Sequence, residues 1–308
     1  MRIFVTGGTG FFGKSILARR AAGAGPFASD RLTILSRDPD AFRRDNPSFA
    51  DLPGVDWVKG DVRDFAFPEG PFDAIVHAAT SAVTTLSDAE QTSVILDGAR
   101  RVADFAKACG CRKVLFTSSG AVYGPQASPV AEDAPCNPVT AYGKGKLAAE
   151  RLLLDAGLDV KIARCFAFTG PHLNRDIHYA IGNFIRDALA GRPVVVQGDG
   201  TPLRSYLFAD DLVDWLFAVL EKGETGRPYN VGSDHAVSIR ELAETVVRAL
   251  RSETPAVPNL QLPRTLVKVM GRPTGAPPSV YVPVVDRVRR ELGLGVTVPL
   301  EEAIRKSV

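Results

Sequence analysis

Tyr142 and Lys146 stand four residues apart in Tyr142-Gly-Lys-Gly-Lys146, a spacing that puts both side chains on one face of a helix, where an ammonium can stabilise a phenolate. An unperturbed tyrosine ionises near about 10, so acid-base work closer to neutrality needs a cation beside it. Lowered that far, a tyrosine can pass a proton to or from a substrate oxygen while hydride moves on the other side. Such a pair also arises by chance as two surface residues. Its weight comes from Thr117-Ser-Ser-Gly-Ala-Val-Tyr-Gly124, which sets a serine at the C-terminal end of the preceding strand, the edge where parallel sheets place ligands.

Hydride chemistry needs a carrier, and the start of the chain supplies a place for one. Arg2-Ile-Phe-Val-Thr-Gly-Gly-Thr-Gly-Phe-Phe-Gly13 reads as a buried strand, a glycine-rich turn and a helix, with Gly7, Gly10 and Gly13 at G-x-x-G-x-x-G spacing. Gly7 and Gly10 let the chain turn tightly and bring backbone N–H groups against a pyrophosphate, and Gly13 lets the helix lie close on the strand. The helix N-terminus adds partial positive charge. At the end of the second strand, Ser36 and Arg37 stand where an acidic side chain would accept from a ribose 2′-hydroxyl. A guanidinium there suits a 2′-phosphate, so NADP is the expected cofactor, with NAD the alternative if Arg37 is only a solvated loop charge beside Asp38.

The elements that must hold these residues alternate along the first half. Leu32 to Ser36, Val55 to Val58, Ala74 to Ala78, Lys113 to Thr117 and Val160 to Cys165 are short apolar strands separated by helical or loop segments, the pattern of an α/β, Rossmann-type doubly wound parallel sheet. Val94, Ile95, Gly98, Val102 and Phe105 recur at helical spacing up to Gly110. We expect a dinucleotide-binding domain over residues 1–166 and a smaller, mixed substrate-binding lobe over 167–308, with a return to the first domain around 205–235. In the second half Asp210 is expected to cap a helix burying Leu212, Trp215, Leu216 and Val219, and Ser238 with Glu241 forms a capping box; Pro255 to Pro283 reads as irregular.

Composition narrows the partners. A formal net charge of +2 across 308 residues, with charges interspersed, argues against nucleic acid and for small molecules or further subunits. No apolar stretch approaches the roughly 18 residues that span a bilayer, and a first strand beginning at Arg2 leaves no room for a signal peptide, so a cytoplasmic location is expected. Cys109, Cys111, Cys136 and Cys165 lack metal-ligand spacing and read as buried thiols, and no metal site is expected.

Taken together, these motifs resemble the extended short-chain dehydrogenase/reductases, in the branch of nucleotide-sugar epimerases, dehydratases and 4-ketoreductases. The resemblance runs along nearly the whole chain: Thr6 to Gly13, Gly60-Asp-Val-Arg-Asp64, His77-Ala-Ala79, Ser118 to Gly124, the Tyr142 and Lys146 pair, and Gly198-Asp-Gly-Thr-Pro-Leu-Arg-Ser-Tyr-Leu-Phe208. It implies Ser119 as the catalytic hydroxyl, Tyr142 as the acid-base, and Lys146 as the residue that binds nicotinamide ribose and tunes the tyrosine. It adds Phe11, Phe12, Ala78 and Ala79 to the cofactor site, sets Asp61 and Val62 beside the adenine, and gives Arg204 and Asn183 to the substrate's diphosphate. It also implies a homodimer through residues 93 to 108 and 142 to 156.

Departures from the family pattern select among reactions. Dehydratases follow the Ser or Thr with an acidic pair and sugar-acid decarboxylases carry a Glu in the second place, but Gly120 and Ala121 stand here and neither can move a proton. The combined epimerase-reductases, with a Cys in that second place and a His near Asn183, are disfavoured too. Ala167 replaces an Asn that contacts the diphosphate in many relatives. His172 and His178 fall in the loop that would face the sugar and are weak candidates. The expected enzyme is an NADPH-dependent 4-ketoreductase of a nucleotide-linked 6-deoxyhexose; the alternatives are a 4-epimerase with bound NAD and, more remotely, a non-catalytic dinucleotide-binding regulator.

Overall fold

The structure is a computed structural model that describes residues 1–23, 25–80, 86–177, 179–251 and 267–308. Seven parallel strands form its main sheet: β1 (Arg2–Thr6), β2 (Arg31–Ser36), β3 (Val55–Lys59), β4 (Ala74–His77), β5 (Lys113–Ser119), β6 (Asp159–Cys165) and β7 (Pro228–Val231), in the order β7-β6-β5-β4-β1-β2-β3. Strand order reverses between β1 and β4, the kind of switch point at which such sheets bind ligands. Register then aligns the chemistry. Thr6 pairs with His77 and Ser119 with Cys165, so the last residues of β1, β4, β5 and β6 share one edge. The fifth strand runs two residues further than its apolar pattern suggests, which makes Ser119 its final residue.

Helices cover both faces because both faces of the strands are apolar. On one side α1 (Phe11–Ala21) and a helix at Ala209–Lys222 bury Ile16, Leu212, Trp215 and Leu216 against β1. On the other, α3 (Asp88–Ala108) and α4 (Ala141–Asp155) bury Ile95, Val102, Phe105, Ala149 and Leu153; α2 (Pro39–Asp45) follows the second strand. A Ser87/Glu90 capping box starts α3. Beyond β6, α5 (Ala180–Leu189) packs Ile181, Phe184 and Ile185 against Leu242 and Val246 of a helix at Ile239–Arg251, forming a separate core. Among the described residues no helix is long and apolar enough to cross a membrane.

Three local expectations change. Asp210 does not cap the helix at Ala209–Lys222: the chain enters from the paired strand Leu207–Phe208, Phe208 takes the cap position, and Asp210 falls in the first turn, 3.9 Å from Arg19. The proline-rich stretch lies partly outside the described residues, and its later part is ordered: Val267–Val269 pairs with Val194–Val196, and Val280–Tyr281 with Leu203–Arg204. The prolines at 273, 277, 278 and 283 stand outside these short pairings and cost them no hydrogen bond. Cys111 and Cys165 are buried, but Cys109 and Cys136 are partly exposed. The capping box at Ser238 and Glu241 forms as its spacing predicts, with reciprocal bonds of 2.9 and 3.1 Å.

Candidate active site

The glycine turn sits at the switch point, and its crowding explains its composition. Gly7 has φ +75°, and a Cβ there would meet the Ala78 carbonyl at 2.5 Å and the Ala79 nitrogen at 2.7 Å. A Cβ on Gly13 would lie 2.2 Å from the Gly8 backbone, so this glycine lets the helix start press onto the turn. Gly10 is different. It has ordinary φ, and a Cβ would come only within 3.4 Å of the Gly7 carbonyl, so what it offers is an uncovered approach rather than a tight turn. It caps α1 without a side-chain bond, and no acidic residue occupies the first turn, which leaves that turn's N–H groups for an anion. This cradle fits a pyrophosphate. Phe11 and Phe12 follow and pack on Phe168, the latter edge-on with ring centres 5.2 Å apart.

A polar knot ties the ends of β1 and β4 behind the cradle. The Ala79 N–H donates to Thr6 Oγ1 at 3.1 Å, and Thr6 Oγ1 lies 2.8 Å from His77 Nδ1. The threonine oxygen thus joins the Ala79 N–H to the imidazole, the His77 tautomer setting which of Oγ1 and Nδ1 donates in the second bond. Burial pushes His77 down to about 3, aided by the charge of Lys146, so the ring stays neutral. At the other end of the cradle Ser36 is buried and Arg37 exposed, while the Asp38 carboxylate caps α2 by accepting from the Ala41 N–H at 3.0 Å. Arg63 holds Asp61 with bonds of 2.7 and 3.2 Å and keeps its carboxyl below the usual range; Val62 is buried against Gly98.

Ser119, Tyr142 and Lys146 do come together. Ser119 Oγ accepts from the Ala121 N–H at 3.2 Å. Thr140 caps α4, and Gly143 and Gly145 let that helix approach closely, since a Cβ on either would meet the Ala121 carbonyl at 2.6 Å or Ile95 at 3.3 Å. Lys146 is buried, donates to the Thr117 carbonyl at 2.9 Å and lies 4.9 Å from the Phe116 ring centre. Burial pushes it down to about 8, against the opposing pull of Cys165 and Glu150.

The expected lowering of Tyr142 is not what this arrangement produces. Burial, reinforced by Tyr281, raises its phenol above the ordinary value, and a hydrogen-bonding interaction with Ser119 opposes this only in part. Burial is the largest cause; the Lys146 ammonium donates to the Thr117 carbonyl and faces the Tyr142 ring, 5.8 Å from its centre. The site as built holds a protonated tyrosine beside a serine hydroxyl, and the raised phenol is a weaker acid than an ordinary tyrosine.

Gly120 and Ala121 open a short helical turn after Ser119. A Cβ on Gly120 would meet the Phe166 ring at 2.8 Å, and Phe166 packs at a tilt on Tyr281 with ring centres 4.9 Å apart. Aromatic rings thus fill the space around the first of the two positions where the dehydratases carry acids. Tyr281 itself is the residue sequence reasoning missed. Its hydroxyl lies 3.5 Å from Ser119 Oγ, and burial pushes it up to about 12. The alternation Val280-Tyr-Val282 between prolines was the available signal.

The substrate-side expectations fare unevenly. Arg204 stands directly opposite Tyr281 in register and donates to the Leu203 carbonyl at 2.7 Å and the Ser279 carbonyl at 3.2 Å, so one arm of its fork is tied to backbone. Asn183, on α5, has a buried Oδ1 with no hydrogen-bond partner among the described residues. Ala167 gives its carbonyl to the Leu207 N–H at 3.0 Å. His172 packs edge-on against Phe49, 5.4 Å between ring centres, and burial lowers it, which makes it a contact between loop and cofactor half. His178 lies outside the described residues.

Comparison with known proteins follows this geometry. The model of the NAD dependent epimerase/dehydratase family matches residues 3–232. A UDP-glucose 4-epimerase of Mycolicibacterium smegmatis is 33% identical over 279 residues, 86% of this chain and 87% of the relative. UDP-glucuronic acid decarboxylase 6 of Arabidopsis thaliana is 32% identical over 273 residues, 82% of this chain and 75% of its own. Among solved structures, a dTDP-glucose 4,6-dehydratase of Streptomyces venezuelae with NAD bound superposes with a TM-score of 0.81 at 26% identity, covering 100% of this chain and 95% of that one.

Proposed function

Because this chain belongs to the NAD dependent epimerase/dehydratase family, we propose that it reduces the C4 carbonyl of a nucleotide-linked 4-keto-6-deoxyhexose with NADPH. The observation that carries this reading is the exposed guanidinium of Arg37 directly after β2, with the neighbouring Asp38 carboxylate committed to capping α2. A reductase consumes hydride and commonly draws on NADPH, whereas an epimerase recycles bound NAD. Gly120 and Ala121 argue against dehydration and decarboxylation, since neither side chain can move a proton.

The nicotinamide cofactor supplies the hydride. Gly7, Gly10, Phe11, Phe12 and Gly13, with Ala78 and Ala79, hold its diphosphate side; Asp61 and Val62 flank the adenine, Ser36 and Arg37 meet the 2′-phosphate, and Lys146 holds the nicotinamide ribose. Ser119 and Tyr142 polarise the C4 oxygen, and Tyr142 gives it a proton as C4 gains hydride; solvent then restores the phenol. Arg204 and Asn183 take the nucleotide diphosphate. Arg204→Ala should weaken sugar-nucleotide binding by about 1.5 to 3 kcal/mol and leave NADPH binding alone. Loss of NADPH affinity in a calorimetric titration would mean that the arginine serves the other ligand.

A second reading, a 4-epimerase with bound NAD, is favoured by the 33% identical UDP-glucose 4-epimerase. Oxidation of NADPH by a panel of nucleotide-linked 4-keto-6-deoxy sugars separates the two. Activity there, with Arg37→Asp reversing the preference toward NADH, supports the reductase. Inactivity across the panel, with interconversion of unmodified nucleotide hexoses and stoichiometric NAD released on denaturation, supports the epimerase. We also propose a two-fold homodimer through α3 and α4. Sedimentation at micromolar concentration should then give twice the chain mass; a monomer would exclude it.

A further inference from the structure

At the end of the site assigned to the adenine stands a bonded pair whose use no step above explains. The chain leaves β3 beside the end of β2, where the Gly60 N–H donates to the Ser36 carbonyl at 2.9 Å. It turns at once: the Asp61 carbonyl accepts from the N–H groups of Asp64 and Phe65 at 3.2 and 2.9 Å, and the carbonyl of buried Phe65 accepts from Arg101 at 3.0 Å. Val62 packs on α3, where a Cβ on Gly98 would meet it at 3.2 Å. On this fixed turn the Asp61 carboxylate is held by one residue. The Arg63 N–H donates to Oδ1 at 3.0 Å, its Nε to the same oxygen at 2.7 Å, and its Nη2 to Oδ2 at 3.2 Å. The two side chains are partly exposed, and a surface ion pair adds little to stability. What such bonds do here is fix where the carboxylate points.

We propose that Arg63 is a positioning residue for base recognition: its fork holds the Asp61 carboxylate in one orientation, and the acceptor capacity left on Oδ2 reads the exocyclic amine of the cofactor's adenine. The inference rests on the placement of Asp61 beside the adenine given above. An ionised carboxylate has about four acceptor sites and no donor. Among the described residues Oδ1 takes the Arg63 N–H and Nε while Oδ2 takes Nη2 alone, so Oδ2 can accept again. The same bonds hold the carboxyl below its usual range, which keeps it an acceptor at working pH. Such a group separates bases that differ at one atom: adenine offers it an amine, whereas hypoxanthine, with an oxygen there, sets acceptor against acceptor. A carboxylate free to rotate would turn away from that conflict, and the distinction would fade. Lysine cannot take over the task, because a point charge lacks the planar fork that engages both oxygens.

Binding alone tests this, without sugar or turnover. In the full chain, NADPH and NADH are each titrated against the counterpart in which hypoxanthine replaces adenine, followed by the fluorescence of the reduced nicotinamide. Because the comparison is made within each pair, it depends neither on the 2′-phosphate nor on the reaction. The parent should bind the adenine form at least about tenfold more tightly, the scale of one hydrogen bond to a charged group. Arg63→Ala and Arg63→Lys should both bring that ratio to within about threefold, chiefly by weakening the adenine form, and Asp61→Ala should do the same. The Arg63 side chain is 43% exposed, so its variants should melt close to the parent's temperature. A ratio unchanged or raised in both Arg63 variants, with Asp61→Ala abolishing it, would overturn the proposal and leave Asp61 to read the base unaided. No preference in the parent would overturn it together with the adenine placement of Asp61. Failure to reduce any keto sugar bears on the reductase reading alone, since these titrations contain none.

Discussion

Tyr142→Phe is expected to lower turnover by a factor on the order of 100 to 10,000, the usual worth of a positioned proton donor, while NADPH affinity stays nearly unchanged. The substitution deletes one hydroxyl and keeps the ring against which the Lys146 ammonium rests, 5.8 Å from its centre. The Lys146 bond to the Thr117 carbonyl does not involve the tyrosine, so the ribose side of the site should survive. Ser119 remains to polarise the ketone, but the phenol proton is gone. Single-turnover absorbance of reduced cofactor makes the measurement, and near-normal rates would remove Tyr142 from the chemistry.

Gly7→Ala should have a comparable effect through cofactor binding. At φ +75° an alanine carries a conformational cost of about 1 to 3 kcal/mol, and its methyl group would collide with the Ala78 carbonyl, 2.5 Å from the built position. The neighbour cannot give way cheaply: Ala79 is tied to Thr6, and Thr6 to His77, so the methyl pushes against two strand ends at once. The turn must move, and with it the N–H groups proposed to face the diphosphate. A loss of NADPH affinity of at least about 100-fold is expected, twice the roughly 1.4 kcal/mol that equals tenfold. Gly10→Ala, with one 3.4 Å contact and ordinary φ, should leave the apo fold alone and hinder only the ligand's approach. Equal affinities for Gly7→Ala and the parent would show the turn to be no cradle.

Much of this was legible in the chain because buried parallel strands read as unbroken apolar runs and because a helix converts a spacing of four into one face. The meeting of Ser119, Tyr142 and Lys146 follows from those two periodicities. The direction in which Tyr142 shifts does not, since it depends on how deeply the phenol is buried, which only tertiary packing decides. Glu150 on α4 and Arg164 on β6, a buried ion pair, look like solvated charges in a linear reading; their burial arises from three elements converging. Tyr281 was hidden for another reason. It is 162 residues from Ser119, on a two-residue strand whose partner lies across the fold, and no local pattern records such a pairing.

That short strand links two tasks that are often pictured as separate. Val280–Tyr281 carries Tyr281 beside Ser119 and directly opposite Arg204, and it is moored to the catalytic side by bridges from Gln126 to Val280 and from Val130 to Pro283. A sideways shift of one ribbon therefore displaces the Tyr281 hydroxyl beside Ser119 and, on the proposed reading, the Arg204 guanidinium that takes the nucleotide. Selection for a new sugar or base through changes in this ribbon should register in kcat as well as KM. An attempt to graft another enzyme's preference would have to move the segments around residues 203–208 and 279–284 as one cassette, because either alone would leave the other out of step.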